Sequence, residues 1–137
     1  MTITIYTDGS CSPNPGAGGW AFVINREEEQ EITETRVYGG LANTTNNVME
    51  MTAVIEAIKT MGEEKVCCTI YSDSQYVINC AKGSWKRKAN VDLWKRYDRY
   101  ALGKTIEFVW VRGHSGDRYN ELVDRLANAG REKYGKK

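Results

Sequence analysis

Two aspartates carry similar surroundings. Tyr6-Thr7-Asp8-Gly9-Ser10 and Tyr71-Ser72-Asp73-Ser74-Gln75 each read as a strand whose last residue is an aspartate, followed by small polar residues. Acids at the carboxyl ends of strands in an α/β sheet project into the crevice where ligands bind. On neighbouring strands their backbones would lie roughly 4.8 Å apart. Two carboxylates that close repel unless a cation sits between them. Mg²⁺ suits hard carboxylate oxygens, and a metal pair about 3.5–4 Å apart can clamp an in-line phosphoryl displacement. Taken singly, an aspartate before Gly9 or Ser74 serves equally well as a turn-former or helix cap. Together the two favour a site. His114 lies in Val111-Arg112-Gly113-His114-Ser115-Gly116, a loop directly after a strand. It is an ordinary loop residue or the one side chain whose unperturbed pKa allows proton traffic near neutrality. The residues alone leave both readings open.

The elements that must position these groups follow from periodicity. Ile3 and Ile5 alternate with Thr2, Thr4 and Tyr6, which predicts a first strand ending at Thr7–Asp8. Gly9 to Gly19 reads as a loop. Trp20–Asn25 and Ile32–Tyr38 form a hairpin around the acidic Glu27–Glu31, and Gly39–Gly40 punctuates its end. A helix starts near Asn46–Asn47, capped by an Asn, with Val48, Met51, Val54, Ile55, Ile58 and Met61 on one face and Gly62 closing it. Val66–Ser72 is a central strand and Asp73–Ala81 a helix with Tyr76, Val77 and Cys80 as its apolar stripe. Another helix runs from Asn90 or Asp92 through Leu102. Thr105–Val111 is a strand in which Ile106, Phe108 and Trp110 alternate with Glu107 and Val109. The last helix spans Asn120 to Tyr134, and residues 135–137 make a frayed tail. Three strands in a meander followed by β-α-β alternation predict a mixed sheet flanked by helices. On these helices Glu50 sits at the edge of the apolar stripe, and Asp124 falls roughly opposite Leu122, Val123 and Leu126. Periodicity reads both as solvated residues.

Composition bounds the rest. A chain of 137 residues, 41% hydrophobic and 27% charged, suits one globular domain, residues 1–137. No apolar run approaches the ~18 residues of a bilayer span, so a cytoplasmic protein with no membrane association is expected. The net charge of +1 neither demands nor excludes nucleic acid. Its distribution matters more, with Lys82, Lys86, Arg87 and Lys88 clustered around Trp85. Cys11, Cys67, Cys68 and Cys80 include no C-x-x-C pair, and the chain has a single His. Free thiols in a reducing compartment fit better than a disulfide or structural metal. As strand neighbours, Cys67 and Cys68 should face opposite ways.

As an ordered set, these segments resemble type 1 ribonuclease H over almost the whole chain. The resembling blocks are Tyr6-Thr7-Asp8-Gly9-Ser10-Cys11 through Asn14-Pro15-Gly16, then Thr44-Thr45-Asn46-Asn47 with Met49-Glu50. Asp73-Ser74-Gln75-Tyr76-Val77, Asn90-Val91-Asp92-Leu93-Trp94, Trp110 through Gly116, and Asn120-Glu121 with Asp124 follow. The resemblance implies a ribonuclease H-like fold, a five-stranded mixed sheet with helices on both faces. It implies an endoribonuclease that cuts the RNA strand of RNA–DNA hybrids to 5′-phosphate and 3′-hydroxyl ends. It places Asp8, Glu50, Asp73 and Asp124 as ligands of two Mg²⁺ ions, with Mn²⁺ as a substitute, and so overrides the solvated readings of Glu50 and Asp124. It gives His114 a part in proton transfer or product release. Asn14, Thr45, Asn46, Asn47 and Gln75 would contact sugar edges and phosphates, with Cys11 at a backbone contact and Trp85 and Asn90 meeting the DNA strand. Trp85 could otherwise be a core or capping aromatic.

Many bacterial members carry a long basic helix and loop where only Lys82–Ala89 stands here. A shortened basic surface implies fewer phosphate contacts and a shallower salt dependence. The catalytic strand begins at Thr2, so no additional hybrid-binding domain is expected, and a monomer is the simplest working form. Alternatives are a DNA-cutting or junction-resolving nuclease, a domain excised from a reverse transcriptase, and a non-catalytic hybrid-binding module. The last should have lost a metal ligand, and none is lost.

Overall fold

A computed structural model describes residues 1–113 and 117–134. His114 and the 135–137 tail therefore lie outside the described residues. The elements in chain order are β1 (Thr2–Cys11), β2 (Gly16–Glu28), β3 (Glu31–Thr44), α1 (Asn46–Thr60), β4 (Cys67–Ser72), α2 (Gln75–Lys82), α3 (Val91–Ala101), β5 (Thr105–Trp110) and α4 (Arg118–Tyr134). The strands form one five-stranded sheet in the order β3-β2-β1-β4-β5. β1 pairs antiparallel with β2, and β2 antiparallel with β3. β4 pairs parallel with β1 and β5. The expected mixed architecture is present.

The pleat sorts side chains to two faces. Ile3, Ile5, Phe22, Ile24, Cys68 and Ile70 join residues of α1, α2 and α3 in the larger core. Ala21 and Val23 point the other way and pack under Val123 and Ala127 of α4. Helices thus cover both faces. Cys68 is buried and Cys67 exposed, as alternation requires, and all four cysteines are free thiols. No helix among the described residues is long and apolar enough to cross a membrane.

The glycine-rich segments are where expectation and structure part. The stretch from Gly9 to Gly19 is not a loop throughout. β1 continues to Cys11 and stays paired with β2, Cys11 opposite Gly18. Nor do Gly39–Gly40 end the hairpin, because β3 runs on to Thr44 with Gly40 opposite Gly19. These glycines admit a helix rather than a turn. A Cβ at Gly40 would lie 2.5 Å from the Gly130 carbonyl oxygen, and one at Gly130 would collide with the Gly39 carbonyl oxygen. α4 crosses the sheet in backbone contact there.

Helix ends differ from expectation by a residue or two. The N-cap of α1 is Thr45, whose Oγ1 accepts from the Val48 N–H at 3.2 Å, and not an Asn. α2 begins after Ser74, whose Oγ accepts from the Val77 N–H, so Asp73 precedes the helix instead of opening it. α4 starts at Arg118, where the Asp117 carboxylate accepts from the N–H groups of Tyr119 and Asn120.

Candidate active site

The parallel register of β1 and β4 pairs Tyr6 with Tyr71. Asp8 and Asp73 each stand two residues further on, at equivalent positions of the two neighbouring strands. The two differ in one respect. Asp73 is the first residue beyond β4, whereas Asp8 is still paired with Ala21 of β2 and is not the end of its strand.

Glu50 arrives from α1, and Gly9 is the reason it can. A Cβ at Gly9 would collide with the Glu50 backbone nitrogen and come within 2.6 Å of the Met49 carbonyl carbon. Without that side chain the helix seats directly on β1. Glu50 is consequently only 5% exposed, against the solvated position that spacing suggested. Asp8, Glu50 and Asp73 each offer an oxygen, and the three atoms lie within 4.8 Å of one another.

Asp124 enters from α4. It is half-buried, again against its solvated reading, and lines a cleft of about 20 Å³ with Asp8, Asp73, Arg112, Asn120 and Glu121. A cleft of that size holds about one water-sized sphere.

The electrostatics are unfavourable as they stand. Burial, then the neighbouring Asp73 carboxylate, and then Asp124 push the Asp8 carboxyl up to about 8, against one bond from the Gly9 N–H at 2.9 Å that lowers it. Burial, with Asp8 and Asp73 beside it, also holds Glu50 well above the usual carboxylate range. Glu50 Oε1 and Asp73 Oδ1 are buried with no hydrogen-bond partner. Among the described residues, the ion pairs lie elsewhere: Arg26–Glu64, Arg36–Glu34, Arg87–Asp98 and Arg96–Glu56. Buried acceptors without donors, all of them hard oxygens, fit a divalent cation.

The residues expected to meet substrate fall into separate groups. Cys11 points its thiol at the carbonyls of Pro13, Gly16 and Thr44 (3.3, 3.5 and 3.4 Å). Asn14 Oδ1 accepts from the Asn46 N–H at 3.1 Å, which ties the β1–β2 turn to Thr45, Asn46 and Asn47 at the start of α1. Gln75 is exposed at the start of α2, two residues from Asp73. Trp85 is 47% exposed, not a core aromatic. The Asn90 amide donates to the Tyr76 hydroxyl at 3.1 Å, and its backbone φ is +57°.

Sequence reasoning passed over the group that fastens β1 to α4 beside the cleft. Arg131 donates to Ser10 Oγ (2.7 Å), which donates to Asn128 Oδ1 (2.8 Å). Asn128 is one helical turn past Asp124, and Ser10 two strand residues past Asp8. Those two spacings were the only signal available.

Comparison with known proteins gives the family and the fold. The family model described as RNase H matches residues 1–132. The Ribonuclease H of Polaromonas naphthalenivorans (strain CJ2) is 45% identical, the match covering 96% of this chain and 88% of that protein. Among solved structures, LC9-RNase H1, a type 1 RNase H with the type 2 active-site motif, superposes with a TM-score of 0.83 at 28% identity, over 96% of this chain and 72% of that one. LC11-RNase H1, solved in complex with RNA/DNA hybrid, gives a TM-score of 0.78 at 26% identity, over 96% and 98%.

Proposed function

Since the chain belongs to the ribonuclease H family, we propose that it is a metal-dependent endoribonuclease acting on the RNA strand of RNA–DNA hybrids. Water adds to phosphorus as the bond to the 3′ oxygen breaks, leaving a 5′-phosphate and a 3′-hydroxyl. The observation that carries this reading is the pair of orphaned oxygens, Glu50 Oε1 and Asp73 Oδ1, inside a carboxylate trio.

Asp8, Glu50, Asp73 and Asp124 hold two divalent ions, Mg²⁺ by the hardness of the donors and Mn²⁺ as a substitute. When bound, the metal supplies Lewis-acid chemistry, acidifying the attacking water and neutralising charge on the leaving oxygen. His114 moves a proton or assists product release. Cys11, Asn14, Thr45, Asn46, Asn47 and Gln75 take the sugar edges and phosphates. The amide and hydroxyl groups among them both donate and accept, as 2′-hydroxyl recognition requires. Trp85 and Asn90 take the DNA strand. The hybrid complex of LC11-RNase H1 supports the substrate class. We place the enzyme in the cytoplasm as a monomer, where its free thiols suit a reducing compartment.

The test is hydrolysis of an end-labelled RNA–DNA hybrid. Cleavage should require Mg²⁺, stop in EDTA and be lost in Asp73→Asn. Equal cutting of duplex DNA, or no metal-dependent cutting by folded protein, would overturn the reading.

A further inference from the structure

β5 ends at Trp110, opposite Ser72, the last residue of β4. Alternation places Trp110 in line with Ile106 and Phe108, which pack against the larger core. The residue is nevertheless 49% exposed. Burial of an indole is its usual contribution to stability, and here half of that is forgone. The polar edge of the ring has a specific partner. Nε1 donates to the backbone carbonyl of Asp73 at 3.1 Å.

Asp73 is where such a bond has consequences. The residue lies just past the β4–β5 ladder and just before α2. The chain before it is held by the Val111 N–H, which donates to the Ser72 carbonyl at 2.9 Å. The chain after it is held by the Ser74 N–H, which donates to Ser72 Oγ at 3.0 Å. Between these anchors an Asp73 carboxylate oxygen lies within 4.8 Å of one from Asp8 and one from Glu50, so the spacing of the trio depends on how the Asp73 backbone is held. The indole N–H fixes the orientation of the peptide from which that side chain springs.

We propose that Trp110 is a positioning residue for metal binding: its indole N–H, by clamping the Asp73 carbonyl, holds the Asp73 carboxylate at the spacing a divalent cation requires. This deepens the proposed function and rests on the reading of Asp73 as a metal ligand.

Trp110→Phe keeps an aromatic ring and removes the donor. Titration calorimetry with Mn²⁺ should show metal affinity weakened about 10-fold, the scale on which groups supporting a ligand act. With hybrid substrate, kcat at low Mg²⁺ should fall and recover at high Mg²⁺, with KM for the hybrid unchanged. Trp110→His, which retains a ring N–H, should recover part of the affinity. In ¹⁵N-labelled wild type, the Trp110 indole N–H resonance, identified by its loss in Trp110→Phe, should shift on Mg²⁺ addition.

Wild-type metal affinity in Trp110→Phe would overturn the proposal, as would a raised KM with unchanged metal affinity. Should that variant not fold, the Trp110 indole signal is assigned in wild type by its through-bond and through-space connections to the Trp110 backbone, and its response to Mg²⁺ decides. The side-chain N–H signals of the three other tryptophans provide the comparison, and a Trp110 signal unmoved by saturating Mg²⁺ would overturn it. Failure of the underlying reading looks different, because Asp73→Asn would then bind metal as tightly as wild type.

Discussion

Asp8 bears much of the cost of assembling the acidic trio. Its folded-state carboxyl titrates at about 8 against an ordinary 3.8, mainly through burial and the nearby Asp73 charge. A carboxyl raised in this way binds its proton more tightly folded than unfolded. Stability is therefore fully present below about pH 4 and is lost as pH rises towards 8. In EDTA the melting temperature should fall across that window, and Mg²⁺ should restore it at the alkaline end. Asp8→Asn removes the charge and can still accept from the Gly9 N–H. At pH 8 in EDTA it should melt at least about 3 °C above wild type while hydrolysis disappears. Scanning calorimetry at several pH values checks both. A variant that melts lower would show that the Asp8 carboxylate is structurally engaged instead.

At the scale of elements, the site depends on how closely α1 and α4 approach the sheet. Gly9 admits α1, and with it Glu50, to the end of β1. Gly9→Ala sets a methyl group against helix backbone, which cannot swing aside as a flexible side chain would. It should cost about 2 kcal/mol or more and weaken metal binding by displacing Glu50. Thr45→Ala, by contrast, removes the cap of the same helix without touching Glu50 and should cost about 1 kcal/mol of stability. Chemical denaturation alongside a metal titration separates the two effects. Equal metal affinity in Gly9→Ala and wild type would mean that α1 accommodates the methyl group without moving Glu50.

Over the whole molecule, charge is unevenly spread although the sum is +1. The basic segment Lys82–Lys88 has fewer free cations than its composition suggests. Arg87 donates to both Asp98 oxygens (2.9 and 2.8 Å) and to the Cys80 carbonyl, and its guanidinium lies 4.6 Å from the Trp94 ring centroid. It braces α3 against the end of α2. Lys82, Lys86 and Lys88 are exposed. Lys86→Ala and Lys88→Ala should each reduce the slope of log affinity against log salt by up to about one, with the melting temperature unchanged. Arg87→Ala should do the reverse. Fluorescence anisotropy of hybrid binding across a salt series, in the Asp73→Asn background, measures the slope.

Much of this protein was legible in its sequence. Alternation at Ile3 and Ile5, the helical stripe from Val48 to Met61, and the order of strands and helices pointed to a mixed sheet flanked by helices, and the family resemblance added five strands with helices on both faces. The repeated strand-then-aspartate pattern marked Asp8 and Asp73 as a pair if their strands were neighbours, and the tertiary structure supplied that pairing and its parallel register. Asp124 and Glu50 were legible only through family resemblance. Their own periodicity marked them as solvated, since a helix pattern reports which face is apolar but not that its end crosses a strand where a glycine lets it close. Gly39 and Gly40 read as a break for the same reason, their partner Gly130 being 90 residues away in the chain. Trp110 looked like one more inward strand residue. Only the tertiary structure decided that the residue lies half in solvent with its N–H on Asp73, because that bond depends on where β4 stops relative to β5.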